Sequence, residues 1–174
     1  MKKFSLKVER EVEMLRDAKE KTRRFIADCH LGKTAKYLRL LGFDTLYFRQ
    51  IDDDALIVLA LKEKRMILTR DRELSERSTA ACYYLEAVAV DAQLRELLGG
   101  LGLKAECRPF SRCLRCNTLL QPIGKEAAAQ RVAPKVARYF DRFDFCPVCD
   151  KVFWHGDHYR RMQAYVERLL ANET

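Results

Sequence analysis

No apolar stretch of this chain approaches the ~20 residues that a membrane-spanning helix requires, which excludes an α-helical membrane protein. The amino-terminal stretch, Met-Lys-Lys-Phe-Ser-Leu-Lys and then charged residues, lacks the continuous apolar core of a secretory signal, so a cytoplasmic protein is expected. There is no low-complexity linker, and no repeat beyond two Cys-x-x-Cys pairs. An odd number of cysteines, seven, argues against a closed disulfide framework, and the paired spacing points to metal instead.

What is present is a folded soluble composition: 48% hydrophobic and 33% charged over 174 residues, enough for one large domain or two small ones. The formal net charge of +8 is unevenly spread, +4 over residues 1–24, −1 over 25–103 and +5 over 104–174. Basic flanks around an acid-containing middle suit a nuclease, whose flanks hold phosphates while the core holds metal; ordinary solubility charge is the plain alternative.

Leu6, Val8, Val12 and Leu15 place a thin apolar stripe on a charged helix over residues 5–22. Phe25-Ile26-Ala27 is a short strand ending at Asp28. Leu31, Ala35, Leu38 and Leu41 share one helix face, which Gly42 terminates. Residues 43–48 read as a strand, and Asp53 or Asp54 caps a helix running to about Lys62. Residues 66–69 and 83–90 read as strands, and about 92–98 as a helix ending at Gly99-Gly100. This alternation predicts an α/β fold with a parallel sheet flanked by helices. The character changes near 103. Beyond it come the paired cysteines, short strand-like pieces, one helical stretch at about 125–139 and a terminal helix over 157–171.

Cys113-Leu-Arg-Cys116 and Cys146-Pro-Val-Cys149 are two knuckles separated by 29 residues. Four thiolates at this spacing predict a tetrahedral structural zinc with no open position, hence no catalytic role. A redox dithiol pair is the alternative. Between the knuckles lie Lys125, Arg131, Lys135, Arg138 and Arg142. His155 and His158 follow the second knuckle; they read either as a packing turn with Trp154 in the core, or as a nucleic-acid surface of interleaved basic and aromatic groups.

In a parallel sheet, sites form outside the carboxyl ends of the strands. Asp28, the Asp52-Asp53-Asp54 triplet, Asp71 and Asp91 all fall there in this reading. Gathered carboxylates repel one another, and oxygen-only ligands select Mg2+ or Mn2+. Each aspartate also precedes a helix or turn, where it would serve as an N-cap. Lys33, Lys36 and Arg39 recur every three residues near Asp28, and Arg70 and Arg72 flank Asp71; these cations suit a phosphate, or a merely solvated face.

Phe25-Ile26-Ala27-Asp28-Cys29-His30-Leu31-Gly32-Lys33, Tyr37-Leu38-Arg39-Leu40-Leu41-Gly42-Phe43-Asp44-Thr45, Asp52-Asp53 and Ile67-Leu68-Thr69-Arg70-Asp71 resemble a PIN-like nuclease domain. More narrowly, they resemble the family named after the C-terminal RNase domain of the Mut-seven exonuclease, whose members join a PIN-like core to a zinc ribbon. The resemblance covers about 25–162. It implies metal-binding acids at Asp28, Asp53 and Asp71, with Asp91 a weaker fourth. Thr34 stands where an apolar residue is expected, and residues 1–24 lie outside the match. The expected organisation is a basic helical extension over 1–24, a PIN-like domain over 25–103, and a zinc ribbon with its helix over 104–174.

The expected function is a ribonuclease that hydrolyses phosphodiester bonds using Mg2+ or Mn2+, with Lys33, Lys36, Arg39, Arg70, Lys135 and Arg138 contacting RNA, or DNA as the other polyanion. The rival readings are a non-catalytic RNA-binding module and a protein–protein adaptor docking through its ribbon.

Overall fold

The computed structural model describes residues 23–171, so the helix expected over 5–22 lies outside the described residues. Four parallel strands form the main sheet: β1 (Arg24–Ala27), β2 (Asp44–Tyr47), β3 (Met66–Thr69) and β4 (Cys82–Tyr84), in the order β2-β1-β3-β4. Helices α1 (Gly32–Leu40), α2 (Asp53–Glu63) and α3 (Arg72–Arg77) connect successive strands, and α4 (Val90–Gly100) follows β4.

The strands are short and apolar because both faces are covered. Phe25, Ala27 and Leu68 point to one layer, where they meet Ala35 and Leu38 of α1 and Leu94, Leu97 and Leu98 of α4. Ile26 and Ile67 point to the other, against Leu56 and Ala60 of α2 and Leu74 of α3. Thr34, the expected misfit, is buried and donates its hydroxyl to Gln93 Oε1, tying α1 to α4.

The strand expected over 83–90 ends at Tyr84. Beyond it, side chains of α4 take the backbone hydrogen bonds that a neighbouring strand would take. The Glu96 carboxylate accepts from the amides of Glu86 and Ala87 at 3.1 and 3.0 Å, and Gln93 Nε2 donates to the carbonyls of Ala87 and Val88.

The second part is an antiparallel sheet, β5 (Gln121–Ile123), β6 (Phe143–Cys146) and β7 (Lys151–Trp154), followed by α7 (Asp157–Leu170). The single helical stretch expected at 125–139 is two short helices, α5 (Lys125–Ala129) and α6 (Pro134–Tyr139). Pro134 removes a backbone donor and holds Ala133 extended, which breaks the run. Trp154 is 38% exposed on β7 rather than in the core.

The segment leading into the ribbon caps the end of α1. Arg108 and Phe110 donate their amides to the carbonyls of Leu41 and Leu40 at 2.8 and 2.9 Å, satisfying groups that a helix end leaves open. This approach requires Gly42, at φ +95°, where a Cβ would lie 2.2 Å from the Arg108 carbonyl oxygen. From the other side α7 covers the core, with Val166 and Leu169 buried and Tyr165 against Tyr37.

Candidate active site

The chain runs from β1 out to β2 and then back past β1 to β3, so β1 and β3 flank the point where the sheet order reverses. Ligand crevices in open α/β sheets form at the carboxyl side of that point. Asp28 directly follows β1, its amide bonded to the Leu68 carbonyl of β3 at 3.0 Å. It is 5% exposed. One carboxylate oxygen accepts the Cys29 amide and starts a 3-10 turn, Cys29–Leu31; the other accepts the Thr69 hydroxyl at 2.8 Å. Thr69 is itself buried and accepts the Asp71 amide at 2.9 Å. The Asp71 carboxylate caps α3 through the Leu74 amide at 3.1 Å. One hydroxyl therefore links the two acids that end adjacent strands.

No Lys, Arg or His among the described residues forms an ion pair with Asp28. A buried carboxylate held only by neutral donors keeps unused lone pairs and an uncompensated charge. That donor chemistry fits a hard divalent cation.

Asp53 reaches the same edge from the start of α2. The cap of that helix is Asp52, not Asp53 or Asp54 as expected, because its carboxylate is the one that accepts the Ala55 amide, at 2.8 Å. Asp53 instead pairs with Arg77 at 2.8 Å, and Asp54 takes the same guanidinium at 2.6 Å, which raises the Arg77 pKa. Burial and the adjoining Asp28 push the Cys29 thiol upward. Among the described residues, Asp28, Asp53 and Asp71 do not form a group with carboxylate oxygens within 4.8 Å of one another. Asp91 has a different setting: with β4 ending at Tyr84, it follows no strand. It sits in the first turn of α4 and accepts the Tyr165 hydroxyl at 2.7 Å. Burial and this bond raise the Tyr165 pKa.

Beside the Asp28 turn is an open recess of about 510 Å³, lined by the cations Lys33, Arg49 and Arg70 together with Tyr47, Val88 and Val90. Arg49 was not singled out in the sequence. Its signal was its position just past β2, at the carboxyl edge of the sheet. Lys36 is exposed on α1 but does not line the recess, and Lys135 and Arg138 are exposed on α6 in the ribbon part. Arg39 corrects the expectation of a phosphate contact: it is 7% exposed. Its guanidinium donates to the carbonyls of Thr45, Leu114 and Arg115, joining the main sheet to the first knuckle.

The sulfurs of Cys113, Cys116, Cys146 and Cys149 lie within 4.8 Å of one another, with Cys113–Cys149 at 3.9 Å and Cys116–Cys146 at 3.3 Å. Tetrahedral zinc–thiolate bonds of 2.3 Å set sulfurs roughly 3.8 Å apart, so the cluster is compatible with zinc. A hydrogen bond to Cys116, then burial and the other thiols, pushes the Cys149 thiol upward. Both knuckles turn alike, with Asn117 and Asp150 at positive φ directly after the second cysteine. Asn117 also docks on the main sheet, accepting the Thr45 amide at 3.0 Å and donating to Asp44 at 2.8 Å.

A second cavity, about 400 Å³ and mostly apolar, lies between the ribbon, α1 and α7, lined by Leu40, Phe110, Trp154 and the stacked pair His155–Tyr159. None of the acids at the strand ends lines it.

A parallel sheet flanked by helices, with acids at its order reversal and a four-cysteine ribbon fixed to its side, defines a two-part α/β protein. Residues 23–166 match the model of the Mut7-C RNAse domain, and the chain belongs to that family. Membership points to a nuclease-type function with nucleic acid as substrate. No curated protein and no solved structure matches the chain. No helix among the described residues is long and apolar enough to cross a membrane.

Proposed function

We propose that this chain is a metal-dependent ribonuclease with Mg2+ or Mn2+ held by Asp28, Asp53 and Asp71, in a PIN-like unit over 25–103 carrying a structural zinc ribbon over 104–174. The observation that carries this reading is Asp28, a buried carboxylate at the order reversal of the sheet with no cationic partner among the described residues. When bound, such ions lower the pKa of water and neutralise charge on the leaving oxygen. The protein supplies position. Thr69 fixes the Asp28 carboxylate and, through the Asp71 amide, the start of α3. Arg77 steadies Asp53 through Oδ2, leaving Oδ1 to accept an ion. Lys33, Arg49 and Arg70 offer the phosphates beside the scissile bond a basic recess.

The test pairs binding with turnover. Mn2+ should bind the wild type by equilibrium dialysis, and an unstructured RNA should be cut with Mn2+ or Mg2+ in preference to the same sequence as DNA. Reversing charge at Lys33 and Arg49 should lower the slope of log affinity against log salt by about 2. Absence of RNA cleavage with both ions would overturn the reading and favour an RNA-binding module.

A further inference from the structure

The turn that carries Asp28 also carries two softer donors. Oxygen of Asp28, sulfur of Cys29 and a ring nitrogen of His30 lie within 4.8 Å of one another. We propose that these three residues form a second metal site, one that takes a borderline transition ion such as Zn2+ or Co2+ and, by claiming Asp28, blocks the carboxylate site. The inhibitory half rests on the ribonuclease reading above; the metal site itself does not.

The donor set decides the ion. Mg2+ demands oxygen ligands and gains nothing from a thiolate or an imidazole, whereas Zn2+ and Co2+ bind both. Three protein donors leave a fourth tetrahedral position open, unlike the closed ribbon with its four sulfurs. The turn is held before any ion arrives. The Leu31 amide donates to the Asp28 carbonyl at 2.9 Å, the Tyr47 hydroxyl donates to the Cys29 carbonyl at 3.0 Å, and the Asp28 amide is bonded across to β3. Each Asp28 oxygen accepts one hydrogen bond, from Cys29 or Thr69, and keeps a lone pair for a metal. Cys29 is partly buried and His30 exposed, so an ion can enter from solvent. Binding deprotonates the Cys29 thiol and releases that proton to water; no electron is transferred.

The experiment adds Co2+ to the full chain with its ribbon already loaded with zinc, and metal analysis of the same sample verifies that the ribbon zinc is retained. Thiolate-to-cobalt charge-transfer absorption should appear in the wild type and be lost in Cys29→Ser, while His30→Ala should weaken cobalt binding. Zn2+ added beyond the ribbon's equivalent should lower magnesium-supported RNA cleavage about tenfold when nine-tenths of the sites are filled. The Cys29→Ser/His30→Ala double variant, compared with its own rate without added zinc, should keep its rate. No sulfur–cobalt band in the wild type, or an equal band in Cys29→Ser, would overturn the site whatever the nuclease does. A wild type that shows the band but cuts no RNA would leave the metal site standing and remove the ribonuclease reading.

Discussion

At the scale of single residues, the arginines divide by where their guanidinium groups end. Arg39 satisfies three carbonyls drawn from the main sheet and the first knuckle, and burial lowers its pKa. Lysine there cannot span them, so Arg39→Lys should cost about 2 kcal/mol in a denaturant titration. The salt slope of RNA binding should stay unchanged, unlike that of the Lys33/Arg49 reversal. At the amino edge of the sheet Asp44 plays the matching part. It accepts from Arg65 at 2.6 Å and Asn117 at 2.8 Å, with Arg24 and Arg112 nearby. Burial alone would raise the Asp44 pKa; the bonds to Arg65 and Asn117 and the charges of Arg65 and Arg112 overcome this and hold it below the ordinary carboxylate value. A depressed folded pKa gives stability that is present above the unfolded value near 4 and lost as pH falls through the folded value. Asp44→Asn should therefore destabilise by about 2 kcal/mol at pH 7, because buried Arg65 loses one of its two carboxylate partners and keeps only Glu63, at 2.7 Å. The deficit relative to wild type should shrink as acid unfolding is followed below pH 4. A deficit that stays constant with pH would assign the cost to shape rather than charge.

At the scale of elements, the segments that were legible in the sequence were those whose partners lie within their own pattern. The strand over Met66–Thr69 is an apolar run closed by Thr-Arg-Asp, and the helix from Asp53 carries acids in its first turn, so both read directly. The stretch 85–89 did not. It is apolar enough for a strand, but past Leu85 the amides of Glu86 and Ala87 and the carbonyls of Ala87 and Val88 are claimed by Glu96 and Gln93, which lie on the next helix and give no local signal. That error also moved Asp91 to a strand end it does not occupy. Similarly, the every-third spacing of Lys33, Lys36 and Arg39 could not show that the ribbon covers the last of them. The joint between the two parts tests this view of the elements. Gly42→Ala should place a methyl against the Arg108 carbonyl at a positive φ and cost about 2–3 kcal/mol. Hydrogen exchange at the Arg108 and Phe110 amides should accelerate in this variant more than exchange within β1. The ribbon should also depend on its metal: one tightly held zinc equivalent, lost in Cys113→Ser/Cys146→Ser. Chelation should speed exchange in β6 and β7 before β1 and β3, since the main sheet has its own two-sided core.

At the scale of the whole molecule, the first knuckle docks at the opposite edge of the sheet from the candidate acids. The ribbon is tied to the amino edge of the sheet by Arg39, Asn117 and Asp44, while Tyr165 fixes α7 to the first turn of α4. The carboxyl edge carries Asp28, Asp71 and Asp53 with the basic recess beside them. Strand-end position was enough to point to Asp28 and Asp71 in the sequence, because a parallel sheet brings all its carboxyl ends to one rim. Local pattern carried no sign of the Thr69 link between them, which depends on strand order, whereas Arg49 has a strand-end signal just past β2. The reading of this rim as a metal-dependent ribonuclease stands on Asp28, and Asp28→Asn tests it most directly. Asparagine keeps the side chain's size, with its oxygen accepting the Cys29 amide and its NH2 donating to the Thr69 hydroxyl oxygen, but removes the charge an ion requires. The account predicts a folded variant whose Mg2+- or Mn2+-supported cleavage of an unstructured RNA falls at least ~100-fold, the effect of losing several kcal/mol of charge stabilisation, to the level of wild type in chelator. Cleavage at the wild-type rate in folded Asp28→Asn, or wild-type cleavage that persists in chelator, would contradict it.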